Sequence, residues 1–169
     1  DVISSFDTTV ELLTSGSSTA LDYSLPTTIV IPAGTLSNVV TLAATEDAID
    51  EFDEQIIIDL GNITNGQKAT TSQVTVKILD GNPEPSVTVT AAASEIGEGT
   101  GTTTTTITAT LGAGAVSGKE IKVTLSKSGV AIEGTDYTLP IEIIIPAGMK
   151  SASINLNATN DNLDEEDED

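Results

Sequence analysis

The side chains able to do chemistry are concentrated in two acidic runs, Asp47-Ala48-Ile49-Asp50-Glu51-Phe52-Asp53-Glu54 and Asp161-Asn162-Leu163-Asp164-Glu165-Glu166-Asp167-Glu168. Each is expected to form a loop between two strands. Crowded carboxylates repel one another and hold protons more tightly unless a cation is present. A hard divalent ion resolves that repulsion. Calcium takes six to eight oxygen ligands in irregular geometry, whereas magnesium demands a tight octahedron, so a flexible carboxylate loop suits calcium. The bland alternative is solvated surface or a tail, the usual role of an acidic run. Against it, the first run leads directly into the apolar segment Ile56–Leu60, as an ordered loop in a folded unit does, and the second run repeats the first.

Composition removes most other chemistries. The 169 residues carry 26 acidic and 6 basic side chains, a formal charge of -20, with no Cys, His or Trp. Without Cys the chain forms no disulfide, thiolate nucleophile or thiolate metal site. Without His it has no imidazole ligand and no Ser-His-Asp machinery. The net charge opposes binding to nucleic acid and to anionic membrane surfaces. No apolar run approaches the roughly 20 residues of a membrane helix. No signal peptide is recognisable, so any targeting signal is expected outside this chain. Mean hydropathy is slightly positive, and Val, Ile and Thr dominate. That composition favours pleated sheet over coil or helix.

The chain repeats itself. Asp22-Tyr23-Ser24-Leu25-Pro26 reappears as Asp136-Tyr137-Thr138-Leu139-Pro140; 136 less 22 gives a displacement of 114. At the same displacement Ile31-Pro32-Ala33-Gly34 falls on Ile145-Pro146-Ala147-Gly148, and the first acidic run falls on the second. No gap is needed from Asp22 to Gln55, and roughly half of the aligned pairs are identical. The length is thus about one and a half periods, the expectation for a window on a longer tandem array.

Alternation predicts strands over Thr8–Leu13, Thr27–Ile31, Ser37–Ala43, Gln55–Leu60 and Ser72–Leu79, then Ser86–Ala92, Thr102–Leu111, Glu120–Ser126, Glu142–Ile145 and Ser151–Ala158. Val74, Val76 and Ile78 alternate with Thr75 and Lys77, so the last strand of the first copy is expected to be half buried. Pooling the copies gives seven strands per period, an all-β, immunoglobulin-like sandwich. Residues 1–82 read as the C-terminal part of one repeat and 86–169 as the N-terminal part of the next. Residues 83–85, with two prolines, form a short stiff linker that would set successive domains end to end.

Other motifs fail on their own terms. Neither acidic run has the central Gly of an EF-hand loop. Gly97-Glu98-Gly99-Thr100-Gly101 resembles a phosphate-binding loop only superficially, because a strand and not a helix follows it; a bulge or tight turn is expected there. A pair of glycosidase carboxylates can be picked from any acidic protein. The aromatic stacking expected of a sugar cleft is scarce at 2% aromatic residues.

Taken together, Gly134-Thr135-Asp136-Tyr137, Ile145-Pro146-Ala147-Gly148 and Asn160-Asp161 with Asp164-Glu165-Glu166-Asp167-Glu168 resemble the Calx-beta motif. That module occurs in sodium/calcium exchangers, integrin β4 and large bacterial surface proteins. The resemblance implies a seven-strand sandwich with Ca2+ held in loops at one end, and it implies ligands from four places. The first is a Glu before the second strand, matched by Glu98, with Glu95 as a nearby competitor. The second is the Asp of the Asp-Tyr pair, Asp22 and Asp136. The third is the acidic loop, through Asp47, Glu51 and Glu54 and through Asp161, Glu165 and Glu168, with Glu46 and Asn160 where the family often has Asp. The fourth ends the last strand, through Asp80 and Asn82. Gly81 and Asn82 replace further Asp residues of strong binders, so fewer or weaker ions are expected.

The functional expectation is a calcium-rigidified spacer repeat in a large extracellular bacterial adhesin at the cell surface. It would act without catalysis, its partners being neighbouring repeats and an adhesion ligand of unknown identity. The alternatives are a regulatory calcium sensor of a membrane transport or signalling protein, and a carbohydrate-binding or hydrolase accessory domain.

Overall fold

The computed structural model describes residues 3–70, 72–99 and 103–160. In chain order its strands are β1 (Thr8–Gly16), β2 (Tyr23–Ser24), β3 (Thr28–Ile31), β4 (Ala43–Ala44), β5 (Ile49–Asp50), β6 (Glu54–Thr64), β7 (Val74–Ile78), β8 (Val87–Ala91), β9 (Thr104–Leu111), β10 (Val116–Ser117), β11 (Ile121–Thr124), β12 (Tyr137–Thr138), β13 (Glu142–Ile145) and β14 (Ser151–Ala158). One short 3-10 turn, Gly112–Gly114, interrupts them. The strands form the all-β, immunoglobulin-like sandwich class expected from the alternation. The chain divides into two compact units, residues 1–47 with 52–81 and residues 48–51 with 82–169.

In the first unit, β3-β1-β6-β7 form an antiparallel sheet, and β2 pairs with β4. Val10 on β1 and Ile56 on β6 are its buried apolar residues. A bulge between Val10 and Leu12 shifts the β1–β6 register. There Glu11 Oε2 accepts the Asn62 N–H at 2.9 Å.

The second unit is a two-layer sandwich. The sheet β12-β14-β9-β8 supplies Ala109 and Leu111, and the pair β11-β13 supplies Ile143 and Ile145. Val87, Ile107, Ile121, Val123 and Ile154 close around these four. Along β9, Thr105, Ala109 and Leu111 are buried, Thr104 and Thr110 are exposed, and positions 106–108 are half-buried, with Ile107 packed on the core. This is the two-residue period of a strand with one face on a core. The parallel pair β10-β5 completes the unit.

Equivalent bonds recur in both copies. Thr45 N–H donates to Asp22 O at 2.8 Å, as Thr159 N–H does to Asp136 O at 2.9 Å. Tyr23↔Ala44 and Ser24↔Ala43 match Tyr137↔Ala158 and Thr138↔Asn157 at the displacement of 114. The match slips by one residue ahead of the Asp-Tyr pair, because Thr8 faces Ile31 where Ile121 faces Ile145. The extra residue is absorbed in the turn before the pair. Asp22 Oδ2 accepts the N–H of Thr19, three residues back, whereas Asp136 Oδ2 accepts that of Ile132, four back.

Two strand expectations need correction. Ser37–Ala43 is not a strand; only Ala43–Ala44 pairs, with β2. Its counterpart β14 is held along its length by β9. β7 is also more exposed than its alternation suggests, with Val74 at 58% and Val76 at 36%. In the second unit the sheet containing β14, β9 and β8 forms the second layer, and among the described residues of the first unit only β2 and β4 stand in the matching place.

Candidate metal centre

In the first unit the turn after Ser18, the end of β4, the start of β6 and the end of β7 lie at one end. The β2–β4 pair brings Asp22 level with Thr45, immediately before Glu46 and Asp47. The β6–β7 register sets Glu54 opposite Ile78, two residues before Asp80. Asp22 and Glu54, distant in sequence, bring their carboxyl groups into contact. The Thr19 backbone N–H, followed by the Thr19 hydroxyl, holds the Asp22 carboxyl below its ordinary value. Partial burial opposes this and the Glu54 contact adds to it. Two carboxyl groups in such contact share either a proton or a cation.

Asp53, one residue before Glu54, is held by protein groups. Its Oδ2 pairs with Lys77 Nζ at 2.6 Å, and its Oδ1 accepts the Asp80 N–H at 3.0 Å. This arrangement fixes the Asp80 backbone beside Asp53.

The expected ligands divide between the units. Asp22, Glu46, Asp47, Glu54 and Asp80 belong to the first; Glu51 and Asn82 belong to the second, with Glu98 and Asp136. In the second unit the Glu98–Gly99 loop meets the strand end after β14. Gly99 adopts φ +89, and a side chain there would meet Asn160 Nδ2 at 2.3 Å. Asp136 reaches the same end through its bond from Thr159. Asp161, Glu165 and Glu168 lie outside the described residues. Among the described residues no three acidic side chains converge on one point.

The acidic run does not mark out Asp50, yet among the described residues it is the most buried carboxylate, 4% exposed. Its Oδ1 pairs with Lys119 Nζ at 2.6 Å, and its Oδ2 accepts Ser117 Oγ–H at 2.7 Å. Gly118 N–H donates to its carbonyl at 2.8 Å. Lys119, followed by Ser117, holds the carboxyl below its ordinary value against the cost of burial. Asp50 is thereby satisfied by protein groups. Nothing in the run Asp47–Glu54 distinguishes it from its neighbours except Ile49 beside it.

The molecule is therefore an all-β sandwich protein with carboxylates gathered at strand ends. No family model matches the chain, and no curated protein sequence matches it. Among solved structures it is similar to CBD12 from CALX1.2, with 24% identity over 96% of this chain and 65% of that one and a TM-score of 0.39. It is also similar to the calcium binding domain CBD12 of CALX1.1, with 21% identity over 93% and 65% and a TM-score of 0.35. The chain thus spans 65% of the length of each of these structures.

Proposed function

We propose that this chain is a calcium-binding spacer module of a large extracellular bacterial adhesin, made of repeats whose acidic ends stiffen when a divalent ion is bound. The observation that carries the reading is the Asp22–Glu54 contact, with Asp80 and the Glu46-Asp47 pair at the same end. An all-oxygen donor set of this kind fits a hard cation. Asp22 and Glu54 would hold the ion, with waters and the rest of the acidic loop completing its shell. The ion would supply charge neutralisation alone. The ion would tie the turn before β2, through Asp22, to the start of β6, through Glu54. Without the ion, like charges push these ends apart.

Extracellular modules often bind calcium with dissociation constants around 10⁻⁴–10⁻³ M. Free calcium at about 100 times that constant would add about 2.7 kcal/mol per site by mass action. The test is a thermal melt of the whole chain in chelator, in calcium and in equimolar magnesium. Calcium is expected to raise Tm well above magnesium, and Asp22→Asn combined with Glu54→Gln is expected to remove that gain. A double variant that keeps the full calcium shift would show that these carboxylates are not ligands.

A further inference from the structure

We infer that Asn65 is a site of spontaneous covalent modification, at which its side-chain amide is lost as ammonia and water converts the residue to aspartate or isoaspartate, and that the contacts of Asn65 with the start of β1 hold this reaction back. The reaction needs a backbone N–H on the following residue with free access to the asparagine side chain. Among the asparagines of the chain, Asn65 alone is followed by Gly. Asn38, Asn62, Asn155, Asn157, Asn160 and Asn162 precede Val, Ile, Leu, Ala, Asp and Leu, whose side chains crowd the approach. Asn82 precedes Pro83, which has no N–H to lose.

The turn is built so that this dipeptide stays together. Asn65 and Gly66 are exposed and lie just beyond β6, whose pairing with β1 ends at Thr9↔Thr64. Asn65 adopts φ 58; among the described non-glycine residues only Ala113 shares such a value. Asn tolerates this left-handed conformation better than most side chains do. Gly66 is kept for a different reason. A Cβ there would lie 3.0 Å from Ile63 Cγ2 and 3.1 Å from Thr8 Cγ2. The conformation that favours Asn and the crowding that favours Gly thus place the reactive pair side by side in an exposed turn.

Two bonds restrain it. Asn65 Nδ2 donates to Asp7 O at 2.9 Å, and Thr8 Oγ1 donates to Asn65 O at 3.1 Å. Ring closure must turn both the side chain and the peptide of Asn65, so both bonds oppose it. The step proceeds from a locally opened form of this sheet end. There Gly66 N gives its proton to a solvent base and bonds to Asn65 Cγ. The Cγ–Nδ2 bond breaks, and Nδ2 takes up a proton and leaves as ammonia. Water then opens the ring. Cleavage between Gly66 N and Cγ leaves aspartate; cleavage between Gly66 N and the Asn65 carbonyl carbon leaves isoaspartate, with one extra carbon in the main chain. Nothing is oxidised or reduced. Either product is a carboxylate, which has no hydrogen to donate. The bond to Asp7 O is lost, and a further negative charge joins a chain already at -20.

The test incubates the whole chain in mildly alkaline buffer made with heavy-oxygen water, with and without urea. Released ammonia is measured, and the modified residue is located by peptide fragmentation. Labelled aspartate and isoaspartate are expected first at position 65, faster in urea than in the native chain. Ammonia separates this site from Asp80-Gly81, which has no amide to lose. Thr8→Val keeps the methyl group facing Gly66 but removes the bond to Asn65 O, and should speed the reaction roughly twofold to tenfold. Asn65→Gly permits the same φ without the amide and should abolish the early ammonia. Modification appearing first at another asparagine, an equal rate with and without urea, or an unchanged rate in a folded Thr8→Val would each overturn the assignment. The urea comparison uses the unaltered chain, so it decides the matter even where a variant fails to fold. Asn65 follows the end of β6 opposite to Glu54, and no readout involves calcium, so failure here leaves the metal proposal standing.

Discussion

Asp50 Oδ1 lies 2.6 Å from Lys119 Nζ, with Ser117 Oγ on the other carboxylate oxygen, and all three are folded into the second unit by the parallel pairing of Ile49-Asp50 with Val116-Ser117. Removing one member of a buried pair strands the other charge. Lys119→Met is expected to destabilise the second unit by about 3 kcal/mol. Adding Asp50→Asn should recover part of that loss, because the uncompensated charge disappears. The chain lacks Trp and has two Tyr, one in each unit. Urea unfolding followed by Tyr137 emission in a Tyr23→Phe background therefore reports the second unit. A loss below about 0.5 kcal/mol would mean that the pair behaves like an exposed surface contact.

The same pair sets an acid limit. The folded-state pKa of Asp50 is depressed below its ordinary 3.8. A depressed carboxylate contributes stability that is fully present above its unfolded pKa and is lost as pH falls through the folded one. Acid unfolding of the second unit is thus expected below pH 3.8 in the wild type, with the slope from Asp50 appearing only there. In Asp50→Asn that portion of the slope should vanish. Equilibrium unfolding at a series of pH values, again read at Tyr137, checks this; an unchanged acid slope in the variant would exclude Asp50 as its source.

How much of this was legible beforehand depended on which property was read. Alternation in Thr104–Leu111 fixes which face is apolar, and the observed core uses Ile107, Ala109 and Leu111 as that pattern requires. The displacement of 114 carried Asp22 and Asp136 to equivalent turns because both close a loop through the same kind of backbone contact. Ser37–Ala43 has the same alternation as β14, yet a strand also needs a neighbour to take its N–H and C=O groups, and a pattern of side chains does not show whether one exists. Asp50 was hidden for a different reason. Its partner Lys119 is 69 residues away, and no local periodicity encodes which of several adjacent carboxylates meets it.

Backbone conformation yields a graded test. Gly16 sits at φ +121, and an added Cβ would lie 2.1 Å from Gln55 O, a backbone atom on β6 that cannot swing away. Gly34 sits at φ +78 with open space around it. Gly16→Ala should therefore cost the first unit about 2–3 kcal/mol, and Gly34→Ala about 1 kcal/mol, the left-handed penalty alone. Gly81→Ala has no such conformation and no neighbour within 4 Å, and should be close to neutral. Tyr23 emission in a Tyr137→Phe background reads all three. Equal costs for Gly16 and Gly34 would show that the contact with Gln55 is relieved elsewhere.

Ionic strength separates general screening from ion binding. With a charge of -20, the dominant long-range term in the folded chain is self-repulsion. The ion pairs Lys68–Asp59 at 2.9 Å and Lys77–Asp53 at 2.6 Å are exposed enough that screening them costs little. Raising potassium chloride from about 10 mM to about 1 M shortens the screening length from roughly 30 to 3 Å. Tm should therefore rise with salt. The rise should be similar in the wild type and in Asp22→Asn with Glu54→Gln, since two charges in a surplus of twenty change the repulsion only modestly. Calcium at matched ionic strength should then separate the two proteins, because coordination needs those two carboxylates and screening does not. A Tm that falls as potassium chloride is added would mean that attractive pairs outweigh the repulsion, and the electrostatic basis of the acidic end would have to be abandoned.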